Sequence, residues 1–405
     1  MERSIVALNA GSSSLKFAVY RAGEGGPVER YRGEVAPIGS REARLRVRGD
    51  RNERDVQDEA VRADDLEQAL QVFGAWFDRQ HEKREVVAVG HRIVHGGQKF
   101  LQPISLDDAA LAELEALIPF APLHQPAGLL GVREARRRWP RALQVACFDT
   151  AFHATQPRLA RLFALPRELS EQGIVRYGFH GLSVESVLYQ LEDAEPQLVN
   201  ARWLVAHLGS GCSITAVAGG RSIATTMGFS TLDGLPMSTR CGSLDPGVLL
   251  HLLEQGWHKE QLADLLYHRA GLRGVSGLSG DMRELLASTD PAAHEAVQLF
   301  VYRTVREVGA LVAVLGGLDG FVFTGGIGEN AASVRAQIAS GLSWLGVHLD
   351  EEANERGEGR ISSAQSAVVV RVVRSDEAQI IARYTWQRLT APASRTTNRG
   401  AARTP

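Results

Sequence analysis

A hydroxyl-rich turn, Asn9-Ala-Gly-Ser-Ser-Ser-Leu-Lys-Phe17, lies between apolar runs at residues 5–8 and 15–20, and the same layout returns in the second half of the chain. There, residues 203–208 run into Gly209-Ser210-Gly211-Cys212-Ser213 and on into residues 214–218. Each stretch reads as strand, turn, strand. Glycine lets the backbone approach a ligand, and hydroxyls, amides and Lys16 supply donors for an anion. Ser12 and Lys16 are the candidate ligands of the first turn, and His207, Gly209, Ser210 and Gly211 those of the second. Two such hairpins imply a duplicated fold; by fold-level analogy with proteins built this way, each half would be a mixed sheet flanked by helices and a nucleotide would be gripped between them. Neither turn has a Walker A pattern, and each alone could be an ordinary β-turn.

The rest of the chain suits that frame. At 405 residues it exceeds one ordinary core and accommodates two units of about 100–200 residues. Helical periodicity at residues 65–77, 106–118 and 128–139 alternates with short apolar strand candidates at 86–89 and 143–148, the mark of α/β layers. Residues 41–65 are dense in alternating charge and read as solvated edge strands and a loop. A helix is expected from Ser183, with others at 244–255 and 292–315. Residues 321–323 form a buried strand opening into Thr324-Gly-Gly-Ile-Gly-Glu-Asn330 and a following helix. That layout lets a helix N-terminus face a nucleotide, or is a plain strand-to-helix turn. The boundary is placed near Thr150: residues 1–150 form one unit, completed by a C-terminal helix at about 376–389, and 151–375 the other. Residues 390–405 have almost no apolar content and are expected to be a disordered tail.

Charge narrows the partners. With 45 basic and 47 acidic residues the net charge is −2, which gives no electrostatic case for nucleic acid or a membrane surface, so a small soluble substrate is expected. No run approaches the ~20 apolar residues of a membrane span. The N-terminus lacks the shape of a signal peptide, and a cytoplasmic protein is expected. Cys147, Cys212 and Cys241 lack zinc-ligand or disulfide-framework spacing.

Seven segments, taken together, resemble the acetate kinase family in order and spacing. They are Asn9 to Lys16, Gly90-His-Arg-Ile-Val-His-Gly-Gly97, Cys147-Phe-Asp-Thr-Ala-Phe-His153, Arg176 to Gly181, His207 to Ser213, Met227 to Pro246 and Thr324 to Asn330. The resemblance implies the duplicated RNase H-like fold of actin, hexokinase and sugar kinases, with the active site in the cleft. It also implies a homodimer and reversible phosphoryl transfer from ATP to acetate, giving acetyl phosphate and ADP, with Mg²⁺ or Mn²⁺. A carboxylate is ionised at neutral pH and needs no general base, so cations and hydrogen-bond donors around the transferring phosphoryl should dominate.

By the resemblance, Arg92 and Arg240 bind the carboxylate and the phosphoryl, His180 stabilises the transition state, and Asp149 orients the phosphoryl and organises the metal held at Asn9 and Glu377. Gly209, Gly211 and Lys16 would meet phosphates, Asp281, Met282 and Arg283 the base and ribose, and Gly325, Gly326, Ile327, Gly328 and Asn330 would close the pocket. Small residues at Gly325 and Gly326 leave room for adenine. Val94, Leu123, Phe179 and Thr231 would wall the acyl pocket, with Thr231 where the family usually has proline. Other departures are Ser210, Cys212, Gln125, Ser238, Ser243 and Ala378. A propionate or butyrate kinase differs only in the pocket wall. From another class, a non-catalytic actin-like nucleotide-binding protein would lack the set Arg92, Asp149, His180, Arg240 and Glu377.

Overall fold

The computed structural model describes residues 2–11, 13–49, 52–80, 84–198 and 200–391. Ser12 and residues 392–405, which hold one candidate ligand and nearly all of the expected tail, lie outside them. Thr390, assigned to that tail from sequence, is instead the last residue of a helix.

Among the described residues, fourteen strands build two sheets. The first contains β1 (Glu2–Ala10), β2 (Leu15–Gly23), β3 (Gly26–Ala36), β4 (Arg44–Gly49), β5 (Asn52–Ala60), β6 (Arg84–Ile93), β7 (Ile104–Ser105) and β8 (Leu143–Phe148), in the order β5-β4-β3-β2-β1-β6-β8-β7. The second contains β9 (Arg202–Leu208), β10 (Cys212–Ala218), β11 (Arg221–Thr225), β12 (Gly320–Thr324), β13 (Gly359–Arg360) and β14 (Val369–Val372), in the order β11-β10-β9-β12-β14-β13. The same motif occurs in both. β1 pairs antiparallel with β2 and parallel with β6, and β9 pairs antiparallel with β10 and parallel with β12. β6 then continues parallel to β8, as β12 does to β14. The duplication read from the two hairpins is therefore a duplication of topology.

Burial explains the strand sequences. β1 and β12 are central, and their buried runs, Ile5 to Leu8 and Gly320 to Phe323, are apolar because both faces are covered. β4 alternates Arg44-Leu-Arg-Val-Arg48, with Leu45 and Val47 inward, as a half-solvated strand near the sheet edge should. Each sheet is covered by helices. The Leu66–Gln80 helix packs Phe73, Trp76 and Phe77 on the β2 face of the first sheet, and the Pro291–Leu315 helix fills the second core with Phe300, Val308 and Leu311. The latter starts at an Asp290 cap followed by proline and stops at left-handed Gly316.

Two helices link the halves. The Gly181–Ala194 helix places Leu182 in the core of the first sheet and Val184, Val187 and Leu191 in that of the second. The Glu377–Thr390 helix returns to the first sheet, where Ile380, Ile381 and Ala382 pack with Ile5, Ala7, Ala88 and Val145. Among the described residues no helix is long and apolar enough to cross a membrane.

Candidate active site

Both hairpin turns open into one cavity of about 820 Å³. Register places Asn9 opposite Lys16 at the end of the first hairpin and His207 opposite Ser213 at the end of the second. Asn9 and Lys16 line the cavity from one side; His207, Gly209, Ser210, Gly211, Gly325 and Gly326 line it from the other. Arg92, His124, His180, Arg240 and Glu377 add to its polar wall.

A ring of side chains closes around Arg92, at the end of β6. Its Nε donates to Asp149 Oδ1 at 2.9 Å, its Nη2 to Asp149 Oδ2 at 2.5 Å and its Nη1 to Asn9 Oδ1 at 3.1 Å. Asn9 Nδ2 donates to Glu377 Oε2 at 2.9 Å, and that oxygen lies 3.7 Å from Arg92 Nε. Asp149, just beyond β8, is 1% exposed. Burial acts against the Arg92 charge, but Asp149 and Glu377 outweigh it and hold the guanidinium above its ordinary pKa.

Arg240 is the opposite case. Its Nη1 donates to the Thr231 carbonyl at 2.8 Å, and among the described residues no carboxylate pairs with it. Burial pushes its pKa down. A desolvated cation held by one neutral acceptor is poised for an anion.

His180 caps its helix at φ 61°, the one non-glycine residue in the left-handed region among those described. This conformation costs of order 1–3 kcal/mol and aims the ring into the cleft. Its Nδ1 lies 2.9 Å from Ser213 Oγ, and its ring stacks on His207 at 4.2 Å. Burial first, then His207, Arg92 and Arg240, place the His180 pKa well below 6.5. Burial also lowers His207 and His124 to about 4, with Arg92 next for His207 and Arg240 for His124. All three rings are neutral at pH 7.

Glycine is required where these groups converge. A β-carbon on Gly211 would lie 2.7 Å from Arg240 Nη2 and 3.2 Å from His180 Nε2. Gly325, at φ 78°, approaches the Leu208 carbonyl so closely that a β-carbon would lie 2.8 Å from its oxygen. The sequence suggested a turn over residues 324–330, but helix begins at Gly325 itself. Glu329 Oε1 accepts the Gly325 amide at 3.0 Å, and Asn330 Nδ2 donates to the Gly326 carbonyl at 2.8 Å. These bonds offset the poor helix propensity of glycine.

Other sequence candidates lie away from the cavity wall. Val94 and Phe179 are in the core of the second half, Leu123 is half-buried, and Thr231 reaches the site through its carbonyl. Asp281 caps the Met282–Ala287 helix and pairs with exposed Arg283 at 2.6 Å, while Met282 is buried. Ile327 and Gly328 are buried within their short helix's packing. Gln125 fits its place fully: it accepts from the His95 amide and donates to the carbonyls of His95 and Leu114. Ser243 Oγ donates to Asp233, which also holds Arg176. One cavity-lining residue missed from sequence is His124. Its signal was the Pro122-Leu-His-Gln-Pro126 segment, read only for its glutamine.

Among the described residues no three His, Cys, Asp or Glu side chains cluster as a metal site. Asp149, Glu377 and Asn9 are nonetheless two carboxylates and an amide oxygen linked through Arg92, a small hard-oxygen set of the kind that suits Mg²⁺ retaining most of its water.

Two sheets of matching topology, with a cleft between their hairpins, define the two-domain actin/hexokinase-like fold class. The family model of the "Acetokinase family" matches residues 4–383. The chain is 47% identical over 395 residues to the acetate kinase of Rhodopseudomonas palustris (strain TIE-1), covering 96% of this chain and 98% of that one. It is 48% identical over 387 residues to the acetate kinase of Nitrobacter hamburgensis, covering 94% and 95%. Among solved structures, a propionate kinase from Francisella tularensis superposes with TM-score 0.86 at 36% identity, covering 95% and 99%. Porphyromonas gingivalis acetate kinase gives TM-score 0.81 at 33% identity, covering 95% and 98%. The chain belongs to the acetokinase family, kinases that use ATP and have a carboxyl group as acceptor.

Proposed function

We propose that the protein transfers the γ-phosphoryl group of ATP to acetate, reversibly, giving acetyl phosphate and ADP. The observation that carries this reading is Arg240, a desolvated cation without a carboxylate partner, converging with His180 on Gly211 opposite the Arg92 ring. An acetate oxygen forms the new bond to phosphorus as the bond to the ADP oxygen breaks, and no proton need leave the nucleophile. Arg240 and Arg92 neutralise the carboxylate and the equatorial phosphoryl oxygens, and His180 donates from Nε2. Asp149, by its two-pronged bond, aims Arg92. The glycine turns at 209–211 and 325–326, with Lys16, hold the remaining phosphates. Mg²⁺, or Mn²⁺, bound at Asn9, Asp149 and Glu377 would supply further charge neutralisation.

Hydroxylamine traps acyl phosphates. Protein with ATP, Mg²⁺ and hydroxylamine should yield hydroxamate fastest with acetate and more slowly with propionate and butyrate. No hydroxamate from any of them would sink the proposal, and a propionate optimum would shift it to the reading named for the Francisella neighbour.

The working unit is two halves, residues 1–150 with the C-terminal helix and residues 151–375, acting in the cytoplasm on small anions without nucleic acid or membrane. It is a homodimer. The Pro246–Glu254 helix is largely apolar yet buries none of its residues, with Leu250 62% exposed, and such a face suits a second copy. Light scattering should give twice the chain mass, and Leu250→Glu should shift it towards the monomer. A monomeric wild type rules the assembly out.

A further inference from the structure

We propose that Ser213 and Ser183 are positioning residues that fix His180 and His207 as imidazoles with the ring proton on Nε2, the nitrogen facing the cleft. Ser213 is 1% exposed and Ser183 0%. Ser213 Oγ lies 2.9 Å from His180 Nδ1, and Ser183 Oγ 2.8 Å from His207 Nδ1. In each case the imidazole nitrogen is the sole hydrogen-bond partner of the hydroxyl among the described residues. If Nδ1 carried the proton, the serine would only accept, and its own buried proton would have no acceptor. That loses the full desolvation of the hydroxyl. The serine therefore donates, Nδ1 accepts, and the ring proton sits on Nε2.

The pairing is crossed. Ser213 is the strand-register partner of His207 but holds His180. Ser183 lies in the first turn of the helix that His180 caps but holds His207. The second hairpin and the helix are thereby locked through two stacked rings at 4.2 Å. Burial keeps both rings neutral, as the neighbouring Arg92 also does. Nε2 of His180 and of His207 would lie 3.2 and 3.8 Å from β-carbons on Gly211 and Gly209, so both N–H groups emerge at the turn that lines the cleft. On the phosphotransferase reading, they are two neutral donors preorganised for phosphoryl oxygens.

The test is ¹⁵N-histidine long-range correlation on the resting full-length protein at pH 7, with kinetics alongside. The wild type should show the Nε2–H tautomer at both rings. Ser213→Ala should mix the tautomers at His180 alone and lower kcat about tenfold, the effect of one neutral hydrogen bond, with KM for ATP little changed. Ser213→Thr, which keeps the hydroxyl, should restore most of both. Ser183→Ala, read at His207, is an independent measurement. Nδ1–H tautomers in the wild type, or unchanged tautomers in both alanine variants, overturn the assignment. A changed tautomer with unchanged kcat overturns the positioning role. The resonance result needs no substrate, so it can hold even where the hydroxamate assay fails.

Discussion

The two arginines differ in a way that separates activity from stability. Arg92 is tied to a 1% exposed carboxylate, and removing it strands Asp149 and Glu377 side by side. Breaking such a buried pair costs about 3–5 kcal/mol. Among the described residues Arg240 has a single carbonyl for company, so its charge is a burden on the folded state. Arg92→Ala should therefore lower both Tm and kcat. Arg240→Ala should lower kcat by about 10²–10³ while Tm is unchanged or higher. Arg240→Lys should recover only part of the activity, because an ammonium lacks the planar fork. Thermal melts beside initial rates decide it: equal loss of Tm in both alanine variants would mean that Arg240 has a stabilising partner, contrary to the geometry.

Elements meet the site through close packing, as where β6 meets the C-terminal helix. A β-carbon on Gly90 would lie 2.1 Å from Thr385 Oγ1 and 2.5 Å from an Ile381 methyl. Gly90→Ala must push away the helix whose first residue is Glu377, and overpacking of this kind costs about 1–3 kcal/mol. Tm should fall, and activity well below Tm should fall with it. Gly309→Ala is the control, since its position in a long helix is open and alanine there should stabilise by about 0.5–1 kcal/mol. An unaffected Gly90→Ala would mean that the helix is not seated on β6. Elements of this kind were legible in the sequence where period and punctuation agree, as in both hairpins, the 143–148 strand and the capped 291–315 helix. The 325–330 helix was not, because four local glycine and asparagine signals favour a turn and only the side-chain bonds of Glu329 and Asn330 reverse them. The candidates that the cavity gathers, such as Asn9, Arg92, His180 and Arg240, were legible as motif members, whereas crossed contacts such as Ser183 with His207 join segments that local pattern does not relate. His124 carries no periodic signal at all. The burial of Val94 and Phe179 behind the wall depends on how the two cores fit together, which a linear motif does not encode.

At the scale of the whole molecule, the buried histidines make stability depend on pH. His91, His95, His124, His153 and His207 are lowered to about 4, and His180 lies well below 6.5, with burial the leading cause throughout. In the unfolded chain each returns to about 6.5. Between about pH 4 and 6.5 the unfolded state thus binds more protons than the folded one, and stability rises with pH. The stabilisation is complete above about pH 6.5 and is lost as pH falls through the folded values. Glu185 acts the other way. Burial raises its carboxyl to about 7 despite the Tyr384 hydrogen bond. Between about 4.5 and 7 it therefore binds its proton more tightly when folded and favours the folded state as pH falls. Six groups oppose one, so Tm should fall steadily from pH 7 to pH 5. His91→Asn, at a buried ring bonded to Gln144 at 2.8 Å, should flatten that slope while reducing Tm at pH 7. A Tm that is level or rises between pH 7 and pH 5 would mean that these rings take up protons in the folded protein, and the neutral donors assigned to His180 and His207 would then be charged ones.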